Sequence, residues 1–270
     1  MMNLIESHRE LFKTQSPVIG CLHLMAMPGT PYYDPSVTVD QQITRIRQEA
    51  EILQSLGYDA VVFANEGDRP YLNRVGPEVI ATYVRIASAV IPDLSVPYGC
   101  GVLIDPFATL AVAKGLGAKF IRTYVSNSYE GTFGSQKFFP GEIFRYQKQI
   151  GAESVHVYTY FEAHAGVSLD TRDLISQVGS GFASMPISGM LIGGPRAGLP
   201  PESSTLASVK EAFPDYPLLL GSGGNPNNIA SLLKYADGVI IGTNIKKDGY
   251  LYNPVDYERA KIFIEAAKSI

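Results

Sequence analysis

LLLGSGG at residues 218–224 and DGVIIGTNIKKDG at residues 237–249 decide the fold. Each is an apolar run that breaks into glycine and a hydroxyl residue: Gly221, Ser222, Gly223 and Gly224 follow Leu218–Leu220, and Gly242 and Thr243 follow Val239–Ile241. Between them, Asn225 as N-cap and Pro226 at the first helical position predict a helix start. Glycine lets the backbone come close to a ligand, and the amides opening a helix favour an anion. Two such exits on consecutive strands match the way (β/α)8 barrels hold a phosphate in the loops after strands seven and eight. Six further strand and helix units are therefore expected upstream.

The rest of the chain supplies them. Strands are read at Val18–Leu24, Ala60–Ala64, Val96–Leu103, Lys119–Tyr124, Val155–Tyr160 and Gly189–Ile192. Helical segments alternate with them, at Val39–Leu56, Pro77–Val90, 106–114, Gly141–Ile150, Leu169–Val178 and Glu202–Phe213, with Pro254–Ile270 last. Such alternation requires parallel pairing through crossovers. The competing open doubly wound sheet lacks its dinucleotide fingerprint near the first turn. The reading is one α/β domain over 1–270, a phosphate-binding (β/α)8 TIM barrel. A short helical extension at 1–15 is placed as a plug under it. The polar loop running from strand four to Gly134 is long enough to be a lid over the mouth.

Composition fits this size. The 270 residues are 46% apolar and 18% charged, ordinary for a globular chain that buries its core without staples. A net charge of −4 gives no electrostatic footprint for nucleic acid. No run approaches a membrane span and no signal-peptide core opens the chain, so membrane insertion is not expected. The two cysteines, Cys21 and Cys100, sit in apolar runs as core residues. They point to a reducing, cytoplasmic setting. A homo-oligomer is left open.

Barrel chemistry lies at the carboxyl ends of the strands. That rule selects His23, Asn65, Glu66, Asp105, Arg122, His164, the exit Gly193-Gly194, and Lys246-Lys247-Asp248 beside the two glycine-rich exits. Glu66 ends an apolar run, where partial desolvation suits a carboxyl to general acid or base work; capping the next loop is the alternative. Asp105 precedes Pro106 and can simply cap a helix. Arg122, inside the fourth strand, must find an anion, and Glu66 and Asp105 are its candidate partners. His23 is either a core histidine or an assistant to Glu66. Lys246 or Lys247 can neutralise phosphate or merely decorate an exposed turn. His23, Glu66 and Asp105 can be combined into a metal site, but nothing in the spacing requires a divalent metal and no other cofactor is implied.

Four segments carry a resemblance: VIGCLHLMAMPGTPYYD (18–34), GYDAVVFANEGDRPYL (57–72), PYGCGVLIDPFATLAVAKGLGAKFIR (97–122) and ADGVIIGTNIKKDGYLYNPVD (236–256). Together they resemble the BtpA/SgcQ family along nearly the whole chain. The resemblance implies a ribulose-phosphate-binding type of barrel. It also implies that His23, Pro28, Gly29, Asn65, Glu66, Pro70, Asp105, Arg122, His164, Lys247, Asp248 and Gly249 match the family pattern. Gly101, Thr132, Thr159 and Ala163 depart from it, standing where Asn, Asp, Asp and Lys are usual. The family name carries a photosystem I biogenesis role, other members stand beside sugar-metabolism genes, and a nucleoside triphosphatase activity has been suggested for one branch. The expected function is an enzyme acting on a phosphorylated small molecule, a sugar phosphate or nucleotide-like compound, by isomerisation, lysis or hydrolysis. The alternatives are a non-catalytic assembly factor and a nucleoside triphosphatase, the latter without any P-loop signature.

Overall fold

The computed structural model describes residues 3–162, 166–194 and 198–269. Eight strands form a closed parallel barrel: β1 (Val18–His23), β2 (Ala60–Ala64), β3 (Tyr98–Gly101), β4 (Phe120–Thr123), β7 (His156–Tyr160), β9 (Gly189–Ile192), β10 (Leu218–Leu220) and β11 (Val239–Ile241). Each pairs with its predecessor in this series, and β1 pairs with β11 to close the ring, with Val18 opposite Val239 and Ile19 opposite Ile240. Their near-continuous apolar sequences follow from burial on both faces, inward against the barrel core and outward against helices. AVVFA in β2, for instance, is buried at all five positions.

The surrounding helices are α2 (Val39–Ser55), α3 (Pro77–Val90), α4 (Pro106–Leu116), α5 (Pro140–Gln149), α6 (Leu174–Ser184), α7 (Ser203–Ala212), α8 (Ile229–Leu232) and α9 (Tyr257–Ala267). Local chemistry sets their ends. Thr38 and Gln41 form a capping box on α2, and Pro77 occupies the first turn of α3. Asp105 accepts from the Phe107 and Ala108 amides to open α4, which closes on Gly117 in the left-handed region, φ +70°.

Helix α1 (Leu4–Phe12) covers the amino-terminal end of the barrel. Phe12 packs edge-on against Phe120, with ring centroids 5.3 Å apart. His8 is buried; its Nε2 lies 3.0 Å from the Asp237 carbonyl and its Nδ1 2.8 Å from the Tyr158 hydroxyl. A carbonyl can only accept, so Nε2 carries the proton and Nδ1 accepts from Tyr158. Burial holds the imidazole pKa down at about 4.

Three expectations are corrected. The long loop after the fourth barrel strand is not a loop but a hairpin, β5 (Ser128–Gly131) and β6 (Gly134–Lys137), and β8 (Gly166–Ser168) adds to it in the antiparallel order β6-β5-β8. Helix α6 starts at Leu174 rather than Leu169, because Asp173 caps it at the Ser176 amide. No helix starts at Asn225-Pro226. The Asn225 amide donates to Asn228 Oδ1 at 2.8 Å and Asn228 Nδ2 donates to the Gly223 carbonyl at 3.1 Å. These local bonds make a polar turn, and α8 begins only at Ile229, for four residues.

Candidate active site at the barrel mouth

A cavity of about 370 Å³ lies at the carboxyl ends of the strands. Glu66, Arg122, Thr123, Tyr160 and Ser222 line its floor from the barrel, and Tyr129, Glu130, Gly131 and Phe133 of the hairpin line it too. The Phe133 ring meets the Tyr71 ring with centroids 5.0 Å apart, so the hairpin tip rests on the loop after β2.

Glu66, His23 and Arg122 converge there. Glu66 Oε1 lies 3.9 Å from His23 Nε2 and 3.7 Å from Arg122 Nη2, while Oε2 accepts from the Tyr71 hydroxyl at 2.8 Å. His23 Nδ1 lies 3.3 Å from the Leu251 carbonyl, which places the proton on Nδ1 and leaves the Nε2 lone pair facing Glu66. Burial, reinforced by the positive charges of Lys246 and Arg122, pushes the His23 pKa well below the ordinary histidine value. His23 is therefore neutral at neutral pH. Two proton acceptors thus face one another across 3.9 Å, too far for a direct hydrogen bond, and each is available to a separate ligand proton. For Arg122, burial opposes the charge, and the neighbouring Tyr160, Cys21 and Glu66 more than offset that.

Several other sequence-selected residues are occupied by the fold. Asp105 caps α4 and also accepts from the Val75 amide and from Arg74, both at 3.1 Å. It is thus paired with Arg74 and not with Arg122. Asn65 is fully buried and joins two loops, donating to Asp68 Oδ2 and accepting from the Leu103 amide at 2.6 Å. Lys246 is not on an exposed turn: it is fully buried with its Nζ 2.6 Å from Glu49 Oε2. Lys247 and Asp248 are exposed, Asp248 with φ +59°. His164 and Ala163 lie outside the described residues. Among the described residues no three His, Cys, Asp or Glu side chains gather as a metal site would need, and His23 and Glu66 meet without Asp105.

The glycines of the two exits have neighbours from within the chain. A β-carbon on Gly242 would lie 2.7 Å from His23 Cε1, so the imidazole rests directly on that glycine. Gly223, at φ +82°, and Gly194 both abut the Leu199 backbone, where a β-carbon on either would collide. Ser222 Oγ accepts from the Gly194 amide at 3.3 Å, tying the exits of β9 and β10 together, and Ser222 also lines the cavity. Gly193 beside it is half-buried. Thr243 is half-buried in a short 3-10 turn running to Ile245.

The aromatic walls were missed by sequence reasoning: Tyr71, Tyr124, Tyr129, Phe133, Tyr160 and Tyr252 all line the cavity. Tyr160 and Tyr124, at or just past strand ends, carried the available signal. Tyr71 and Tyr252, in loops, carried none.

The BtpA family model matches residues 14–269. The sgc-region protein SgcQ of Escherichia coli is 35% identical over 262 residues, which is 97% of this chain and 98% of that one. The photosystem I biogenesis protein BtpA of Synechocystis is 30% identical over 262 residues, 95% of this chain and 90% of that one. Among solved structures, N-(5'-phosphoribosyl)anthranilate isomerase from Pyrococcus furiosus superposes with a TM-score of 0.59 at 15% identity, covering 94% of this chain and 100% of that one. That likeness is one of fold. Among the described residues no helix is long and apolar enough to cross a membrane.

Proposed function

Since the chain belongs to the BtpA family, we propose that it is an enzyme that moves a proton on a phosphorylated small molecule held in the barrel mouth. The observation that carries this reading is Glu66 Oε1, poised between the His23 lone pair at 3.9 Å and the Arg122 guanidinium at 3.7 Å. A carboxylate beside a neutral imidazole and a fixed cation suits proton abstraction from carbon next to a carbonyl. Glu66 takes the proton, His23 Nε2 accepts a hydroxyl proton of the same ligand, and Arg122 stabilises the negative charge that develops on oxygen. In isomerisation Glu66 returns that proton to the neighbouring carbon while His23 passes the hydroxyl proton to the former carbonyl oxygen; aldol-type cleavage starts instead from the hydroxyl proton, taken by His23 as the carbon–carbon bond breaks, and leaves the same kind of enolate beside Arg122. The phosphate end lies toward the exits of β10 and β11, Gly221–Gly224 and Gly242-Thr243, with the Ser222 and Thr243 hydroxyls beside the backbone amides. Tyr71, Tyr160 and Tyr252 close the cavity walls around the carbon skeleton.

The test is a thermal-shift panel of sugar phosphates and nucleotides, since a ligand bound only to the folded chain raises its stability. Turnover of the best binder by wild type and by Glu66→Gln follows. The reading expects stabilisation by a sugar phosphate and a loss of turnover of at least about a hundredfold in Glu66→Gln, the usual contribution of a positioned base. No binder in the panel, or full turnover by Glu66→Gln, would sink it.

A further inference from the structure

Beside the mouth lies a second, smaller cavity of about 210 Å³, lined by His23, Tyr32, Arg45, Arg69 and Tyr252 among others. Tyr252 lines both cavities, which adjoin at that side chain, and His23 lines the second. The cationic group here is built rather than incidental. The Arg69 guanidinium is held flat between two rings, 3.6 Å from the Tyr252 centroid and 4.1 Å from the Tyr32 centroid. A side chain stacked on both faces has lost most of its freedom already, and the two tyrosines that hold it also accept hydrogen bonds from it.

That guanidinium has no carboxylate. Arg45, Arg74 and Arg122 each have one, in Glu49, Asp105 and Glu66, while among the described residues Arg69 forms no ion pair. Asp68, its chain neighbour, turns inward instead to the Met27 amide at 2.7 Å and to Asn65. The background charge points the same way. Glu49 is shared by Arg45 at 2.8 Å and the buried Lys246 at 2.6 Å, so of the two arginines that line the cavity one shares its carboxylate with a second cation and the other has none. Arg45 is also fixed by the Tyr252 carbonyl at 3.0 Å. A partly open pocket with fixed positive charge and a guanidinium that has no carboxylate is a receptor for an oxyanion.

We propose that this cavity is a second oxyanion subsite, with Arg69 as the bidentate partner and Arg45 as the supporting charge. It takes a phosphate or carboxylate group of a ligand whose reacting carbon sits at Glu66. The substrate class is then a small molecule with two anionic ends, one at the β10 exit and one at Arg69, and His23 stands between the second anion and the base. The inference deepens the reading of the mouth as a ligand site and rests on it, yet its test is separate.

Crystals of the full chain soaked in inorganic phosphate, and in malonate as the carboxylate probe, are to be compared with calorimetric titration of both anions. Wild type is expected to show density within hydrogen-bond distance of the Arg69 guanidinium with at least one probe, and that probe names the group. Arg69→Met is expected to lose this density and to bind that probe at least tenfold more weakly at this site, while Arg69→Lys recovers part of the affinity. Density at Ser222 should persist in both variants. No density at Arg69 in wild type, or unchanged affinity in a folded Arg69→Met, would overturn the subsite. Either result leaves the Glu66 reading standing, because that depends on turnover by Glu66→Gln.

Discussion

The Tyr71 hydroxyl donates to Glu66 Oε2 at 2.8 Å while the Tyr71 ring packs against Phe133 at the tip of the β5–β6 hairpin. The hairpin and the proposed base are thereby linked through one side chain. Tyr71→Phe keeps the ring contact and removes the bond to a charged acceptor. It should lower the free energy of unfolding by about 2 kcal/mol, the usual scale for such a bond. Denaturant titration checks this, and an unchanged midpoint would mean the bond is not formed in solution.

Gly242→Ala tests what the last glycine exit is for. The new β-carbon would fall 2.7 Å from His23 Cε1, so the imidazole must move, at a cost of about 1–3 kcal/mol. Gly224→Ala is the control: its nearest neighbour would be Leu220 Cδ2 at 3.4 Å, an ordinary contact, and the change should stay below about 1 kcal/mol. The His23 ring resonances should shift in the first variant and hold in the second.

Removing Lys246 leaves Glu49 buried with Arg45 alone. Lys246→Met should therefore destabilise by roughly 3 kcal/mol, the low end for breaking a buried pair because one partner remains. Adding Glu49→Leu should restore part of that loss. Full stability in the single variant would show that the pair contributes nothing.

His8 supplies a pH dependence. Its folded pKa of about 4 lies below the ordinary 6.5, so between those values the unfolded chain binds a proton that the folded chain does not. Stability is then fully present above pH 6.5 and falls as the pH drops toward 4, by at most about 3 kcal/mol. His8→Phe should flatten that slope relative to wild type, whatever its baseline stability. Parallel slopes in a pH series of urea melts would refute the assignment.

How much of this was legible beforehand depends on where the determining contacts come from. The bounds of β2, β9 and α3 follow from apolar runs and caps a few residues away, and those boundaries were read from the sequence as the structure has them. The β5–β6 hairpin was hidden because its strands SYEG and GSQK carry one buried apolar side chain, Tyr129, among polar and glycine residues; their partners come from each other and from β8, a whole barrel unit away. In α6 two aspartates competed for the cap, and Asp170 is taken instead by Arg172. At the site, three residues selected by strand-end position, His23, Glu66 and Arg122, lie near one another. The helix cap by Asp105 was read from its neighbours, but its pairing with Arg74 and the inward turn of Lys246 to Glu49 were not, since those partners lie far along the chain.

Helix α1 has a consequence for traffic. Strand side chains fill the barrel interior and Phe12 and His8 cover its amino-terminal end, so under the proposed function a ligand at Glu66 enters and leaves through the mouth. On the proposed function, product and substrate compete for one site, and product inhibition should be competitive.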